Sequence, residues 1–131
     1  MSLFDVGPEL LWYSNKMNKE IELFLKKVIE NLKTVDPEKV FLIGSYADGS
    51  FSEESDIDLV VILDTNKIPD SYDEKLELRV SVRDSIYDLS REFPIDLIIY
   101  TRGEFDKLSC LKTSFYNEII RTGKVVYEKA G

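Results

Sequence analysis

Asp56, Asp58 and Asp96 are the residues of this chain whose type and spacing could do chemistry. Two of them sit in matched apolar runs, Ile57-Asp58-Leu59-Val60-Val61 and Ile95-Asp96-Leu97-Ile98-Ile99, and Asp56 immediately precedes the first. Short apolar runs of this kind read as buried strands. Residues i and i+2 of a strand share a face, so Asp56 and Asp58 point one way, with Ile57 and Leu59 on the other. If the second run pairs beside the first, the matched patterns bring Asp96 next to Asp58. Two carboxylates about 4 Å apart repel by roughly 4 kcal/mol at an effective dielectric near 20. Protonation, exposure to water or a cation relieves that repulsion. Hard oxygen donors that leave open positions suit Mg²⁺ or Mn²⁺ shared with the phosphates of a nucleotide. A lone aspartate would be read as a solvated strand end; an Asp-x-Asp pair with a third acid in a second strand favours a metal site.

A Gly-Ser turn lies upstream of the pair, with ten residues between Ser45 and Asp56. Gly44 follows the apolar segment Val40-Phe41-Leu42-Ile43, at a strand-to-helix corner. Glycine there lets the backbone approach a ligand closely, and the Ser45 hydroxyl can donate to a phosphate oxygen. The plain alternative is a strand-end turn with a serine cap. Gly-Ser alone is a weak signal, and the aspartates that follow give it value.

The rest of the composition narrows the chemistry. The chain has 131 residues, no histidine, one cysteine and a formal net charge of −8. Without histidine, Ser-His and Cys-His nucleophiles and ordinary zinc sites are excluded. The acidic balance argues against direct nucleic-acid binding. No apolar run is long enough to span a bilayer, and no signal-peptide pattern opens the chain. A single cysteine fits a reducing compartment, so a cytoplasmic protein is expected. Cys110 itself is expected in the core.

These residues must be positioned by a small α/β (α+β) domain. Residues 1–14 read as an irregular lead-in, and 15–131 as one domain. An amphipathic helix is expected from about Asn15 to Leu32, with Met17, Ile21, Phe24, Leu25, Val28 and Leu32 inward. A strand from Lys39 to Ile43 follows, then a short helix from Ser45, then a strand from Asp56 to Leu63. Ser71-x-x-Glu74 is a capping box that opens a long helix, with Leu78, Val82, Ile86, Leu89 and Phe93 inward until Pro94 stops it. Ile95 to Tyr100 is the third strand. Thr101-x-x-Glu104 opens a second boxed helical region, with Phe105, Leu108, Phe115 and Ile119 inward, ending at Gly123. Val125-Val126-Tyr127 adds a short edge strand. The result is a small mixed sheet flanked by helices. Arg79, Arg83 and Arg91 lie on the long helix, where they could reach phosphates, but solvated charges paired with Glu74, Glu77 or Asp88 are the expected reading. Tyr46 is expected to pack. Leu10-Leu11-Trp12-Tyr13 reads either as an arm for a partner or as local packing.

Gly-Ser, ten residues, Asp-x-Asp and a later strand aspartate together resemble the nucleotidyltransferase superfamily of DNA-polymerase-beta-like fold. More closely, the chain resembles the minimal nucleotidyltransferases partnered with HEPN-domain proteins in toxin–antitoxin pairs. The resemblance runs from about Lys19 to Glu128. It implies that Gly44 and Ser45 hold the nucleotide's outer phosphates and that Asp56, Asp58 and Asp96 ligate Mg²⁺ or Mn²⁺. It implies also that Asp96 orients or deprotonates the attacking hydroxyl. The implied reaction moves a nucleoside monophosphate, AMP from ATP, to a hydroxyl, with pyrophosphate released. The acceptor expected is a HEPN-type toxin, because the catalytic core uses almost the whole chain. Two other readings remain: a small-molecule transferase, whose acceptor pocket would need a homodimer, and a non-enzymatic antitoxin with a vestigial site. One departure from the family bears on the last. Many relatives carry a basic residue where this chain has Asp48.

Overall fold

The computed structural model describes residues 19–52 and 54–130. The lead-in over 1–14, the start of the first helix with Met17, and the Leu10–Tyr13 segment lie outside those residues. Helix α1 (Lys19–Leu32) buries Ile21, Phe24, Leu25, Val28, Ile29 and Leu32 along one face, as the periodicity requires. A 3₁₀ turn over Lys33–Val35 ends it, with Asp36 in the left-handed region and its amide bonded to the Lys33 carbonyl. Pro37 then opens strand β1 (Pro37–Ile43).

Strand β1 leads to a single-turn helix α2 (Ser45–Asp48), strand β2 (Ile57–Leu63), helix α3 (Tyr72–Ser85), the short α4 (Tyr87–Ser90) and strand β3 (Ile95–Thr101). Helix α5 (Arg102–Leu111), helix α6 (Ser114–Thr122) and strand β4 (Lys124–Glu128) complete the order. The four strands form one mixed sheet in the order β3-β2-β1-β4. Strand β1 is antiparallel to both β2 and β4, whereas β2 and β3 run parallel. The expected mixed sheet flanked by helices is therefore present, and Val125–Tyr127 lies in an edge strand.

Alternation along the strands divides the core in two. On one face Val40, Leu42, Ile57, Leu59, Val61 and Ile99 pack with α1 and with Val82 and Ile86. On the other, Phe41, Val60 and Ile62 pack with Ile119, Phe105 and Phe115 of α5 and α6. A fully buried leucine such as Leu25 or Leu59 contributes about 2 kcal/mol through loss of water contact.

Two expected helices are broken. The long one stops at Ile86, whose φ of −120° leaves the helical region; the Ser85 hydroxyl donates back to the Val82 carbonyl one turn earlier. The break still lets Leu89 and Phe93 turn inward, and Phe93 meets Phe24 at 4.7 Å. The second region divides at Lys112, which is left-handed, and Thr113 caps α6 by accepting from the Tyr116 amide. Of the two expected capping boxes, Thr101 and Glu104 form both reciprocal bonds. Ser71 accepts from the Glu74 amide, but the Glu74 carboxylate turns to the Asp70 amide instead.

At the end of the sheet opposite Asp58 and Asp96, ion pairs hold the strand ends. Lys129 bridges Asp36 and Asp64 at 2.8 and 2.7 Å, and Arg102 pairs with Asp64 from the other side. Cys110 is exposed, not core: α5 turns its inward face through Phe105, which leaves position 110 to solvent. No helix among the described residues is long and apolar enough to cross a membrane.

Candidate functional site

Parallel pairing of β2 and β3 sets Asp58 opposite Asp96, with Ile57 opposite Ile95 and Leu59 opposite Leu97. The two matched sequence runs are thus in register. The amide of Ile57 donates to the Pro94 carbonyl at 3.0 Å and fixes where the pairing begins. Asp58 and Asp96 lie on the α5–α6 face of the sheet, in line with Val60 and Ile98. They stand beyond the apolar cover of that face, at the end where β2 and β3 start. Asp56 is exposed in the residue before β2 and is not part of the strand.

Strand β1 closes the third side. Its last residue, Ile43, pairs with Asp58, and Gly44 then turns away with φ 74° and ψ −154°. The Gly44 carbonyl accepts from the amides of Ala47 and Asp48, which starts the single turn of α2. Tyr46 and Ala47 are buried beneath it, and the Tyr46 ring stacks on Phe51 at 4.7 Å. Tyr46 therefore packs, as expected. The Ser45 hydroxyl has no intramolecular partner among the described residues. Gly44, Ser45, Asp58 and Asp96 are brought to one end of the sheet by three strand ends.

The electrostatics follow from that gathering. Burial pushes the Asp58 carboxyl above its ordinary value, and the negative charges of Asp96 and Asp56 push it further. Burial also raises the Tyr46 phenol, with Asp56 adding to the effect. Among the described residues no three acidic or cysteine side chains form a ready-made cage for a cation. The donor set nevertheless fits a hard divalent ion: it is all carboxylate oxygen, and a cation would relieve the cost that Asp58 carries.

Asp48, the departure from the family pattern, is exposed and engaged in its own turn. Its carboxylate accepts from the Ser50 amide at 2.8 Å and from the Ser50 hydroxyl at 2.6 Å. Those bonds hold it below the usual carboxylate range.

The expected arginine pairings are not found. No ion pair among the described residues involves Arg79, Arg83 or Arg91; of their expected partners, Glu74 pairs with Lys67 at 3.4 Å instead. Arg83, Tyr87 and Ser90 instead line a groove of about 170 Å³ that also contains Asp96. Sequence reasoning weighs Arg83 only as a residue that could reach phosphates and prefers a solvated, paired helix charge, and it does not single out Tyr87 or Ser90. They share a groove with Asp96 because α3 and α4 pack beside β3. A larger cavity of about 510 Å³ lies at the opposite end of the β2–β3 pair, between Thr65, Leu78 and Thr101. It contains none of the five expected site residues.

The chain matches the family model described as "Polymerase beta, Nucleotidyltransferase" over residues 25–130. It is 30% identical over 115 residues to a Methanocaldococcus jannaschii protein named "Putative protein adenylyltransferase MJ0141", covering 88% of this chain and 96% of that one. A second protein of that organism, "Putative protein adenylyltransferase MJ0604", is 29% identical over 89 residues, 68% of this chain and 77% of its own length. Two solved structures are similar over most of the chain. One, from Sulfolobus solfataricus, is described as "a putative nucleotidyltransferase", with 20% identity, a TM-score of 0.49 and coverage of 96% and 93%. The other is described as "the toxin-antitoxin with AMP-PNP", with 19% identity, a TM-score of 0.47 and coverage of 79% and 72%. With the family model matched across most of its length, this chain belongs to the Polymerase beta nucleotidyltransferase family.

Proposed function

We propose that the chain transfers AMP from ATP to a hydroxyl of a protein acceptor and releases pyrophosphate. The observation that carries this reading is the register match of Asp58 with Asp96 beside the Gly44–Ser45 turn. The acceptor class is supported by kinship with the two relatives named as protein adenylyltransferases. The family resemblance points further, to a HEPN-type helical protein as that acceptor.

Gly44 lets the backbone close on the outer phosphates, and Ser45 donates its hydroxyl to one of their oxygens. Asp56, Asp58 and Asp96 would hold Mg²⁺ or Mn²⁺. When bound, that cation neutralises the triphosphate and polarises the reacting oxygens. Asp96, on the open side of the pair, accepts the proton of the acceptor hydroxyl. The acceptor oxygen forms a bond to the α-phosphorus while the bond from that phosphorus to the pyrophosphate oxygen breaks. Water is kept from competing by the acceptor's own surface, which must cover this exposed end of the sheet.

Thermal unfolding with Mg²⁺ and saturating ATP tests the reading first. Ligand at about 100 times its dissociation constant adds about 2.7 kcal/mol, a shift of several degrees for a domain of this size. A magnesium-dependent shift that Asp58→Asn abolishes supports the site, and α-labelled ATP then finds the acceptor. No shift with any nucleotide, with Mg²⁺ or Mn²⁺, rejects the enzyme in favour of a binding module.

A further inference from the structure

Strand β3 is an edge strand, and its free edge is closed along only half its length. In a parallel pair, alternate residues bond to the neighbouring strand while those between them direct amide and carbonyl outward. The Pro94 carbonyl accepts from Ile57, so 94, 96, 98 and 100 face β2, and Ile95, Leu97, Ile99 and Thr101 face out. On the far half the outward groups are taken. Lys75 Nζ donates to the Ile99 carbonyl at 2.6 Å, and the Thr101 amide donates to Glu104 Oε1 at 3.0 Å. Lys75 and Glu104 also pair with each other at 2.7 Å, with side chains only 17% and 20% exposed. A clamp of this kind blunts an edge against further strands.

The half beside Asp96 has no such clamp. The outward main-chain groups of Ile95 and Leu97 meet no side-chain partner among the described residues, and both residues line the groove of Arg83, Tyr87, Ser90 and Asp96. At about 170 Å³ this groove is smaller than the ~300 Å³ at which pockets begin to enclose drug-sized ligands. It suits a chain segment lying along the edge. Tyr87 is 61% exposed and offers a ring at its rim, and Arg83, which also lines the groove, has no ion pair among the described residues.

We propose that the Ile95–Leu97 edge seats an extended segment of a protein acceptor, which adds to β3 as a fifth strand and carries its hydroxyl side chain to Asp96. Outward amides and carbonyls at two-residue spacing match another polypeptide backbone and no small metabolite. Arg83 supplies a charged donor for a carbonyl or acidic side chain of that segment. A second copy of this chain is a poor occupant, because each copy carries a net charge of −8 and two-fold pairing centred on this edge, with Ile95 opposite Leu97, would set Asp96 against Asp96. The inference rests on the protein-acceptor reading above and specifies how that acceptor is held.

The test uses the full chain, Mg²⁺, α-labelled ATP and a mixture of synthetic nonapeptides with a central Tyr, Ser or Thr. A labelled peptide is then resynthesised with N-methyl groups on alternate backbone amides. Methylation of one alternate set is expected to cut labelling at least tenfold, and of the other set less than twofold. Leu97→Pro removes an outward N–H without touching the ladder, and is expected to raise the peptide KM at least tenfold while the MgATP thermal shift persists. If Leu97→Pro does not fold, Tyr87→Ala on the groove rim is expected to raise the same KM. Equal effects of the two methylation sets, or no peptide labelled by a protein that does bind MgATP, would overturn the inference and leave the nucleotidyl reading standing. A dimer that Leu97→Pro dissociates would also overturn it, by assigning the edge to a second copy. Absence of any MgATP shift would overturn the nucleotidyl reading itself, and this inference with it.

Discussion

Gly44 lies directly against the Asp58 carboxylate: a Cβ at position 44 would overlap Oδ2 and stand 3.4 Å from Cγ. The same residue has φ 74° and ψ −154°, a combination closed to residues with a side chain. Two independent constraints, backbone and neighbour, therefore demand glycine where β1 ends. Gly44→Ala is expected to cost about 1–3 kcal/mol in urea unfolding. It is also expected to abolish the MgATP thermal shift, since the added Cβ displaces the Asp58 carboxylate, the turn that faces it, or both.

Asp58 gives a pH dependence with a definite sign. Burial first, then Asp96 and Asp56, raise its carboxyl above the ordinary 3.8, so the folded protein binds this proton more tightly than the unfolded chain. The stability linked to it is fully present below 3.8 and is lost as pH rises through the folded value. At neutral pH the ionised carboxylate is a cost, and Asp58→Asn is expected to leave the metal-free protein equally or more stable. Thermal melts from pH 3 to 8 check this. A variant clearly less stable at pH 7 would make Asp58 a structural residue.

Metal affinity should run the opposite way with pH. A carboxylate must be ionised to ligate, so apparent Mg²⁺ or Mn²⁺ affinity is expected to grow as pH rises through the raised Asp58 value. Mn²⁺ titration at several pH values, followed by relaxation enhancement, measures it. Asp58→Asn should flatten the profile.

Thr101 and Glu104 anchor α5 and close part of the sheet edge together. Thr101→Ala removes the cap and is expected to cost about 1 kcal/mol. Glu104→Ala should cost more, because it also leaves the half-buried Lys75 ammonium with the Ile99 carbonyl but no counter-charge. Denaturant melts of the two variants rank them directly.

Cys110 is expected to react with a thiol reagent in the folded protein without prior denaturation, because it is exposed and in no disulfide. Cys110→Ser should change stability by no more than about 0.5 kcal/mol. A thiol that reacts only after denaturation would contradict its position on α5.

Much of the site was legible in the chain because strand pattern is local information. The repeated Ile-Asp-Leu runs fix which face each aspartate takes, and their likeness anticipates the register of Asp58 with Asp96. The helix breaks at Ile86 and Lys112 were less legible. At Ile86 a continuous apolar stripe is compatible with either path. At Lys112 only the cap at Thr113 gives the division away. Cys110 was misjudged because small residues at helical spacing do not say which side of a helix the sheet will cover.

The sequence by itself determined the acids, the glycine turn and the strand faces, since these depend on spacing within a few residues. Only the tertiary structure decided that β3 is an edge strand, and that Lys75 and Glu104 close one half of it. It also decided that Arg83, Tyr87 and Ser90 stand beside Asp96. Apart from the Thr101–Glu104 cap, those relationships join residues several to dozens of positions apart, and no local spacing encodes them. They arise when burial of both sheet faces fixes the strand order and lays α3 and α4 along one edge.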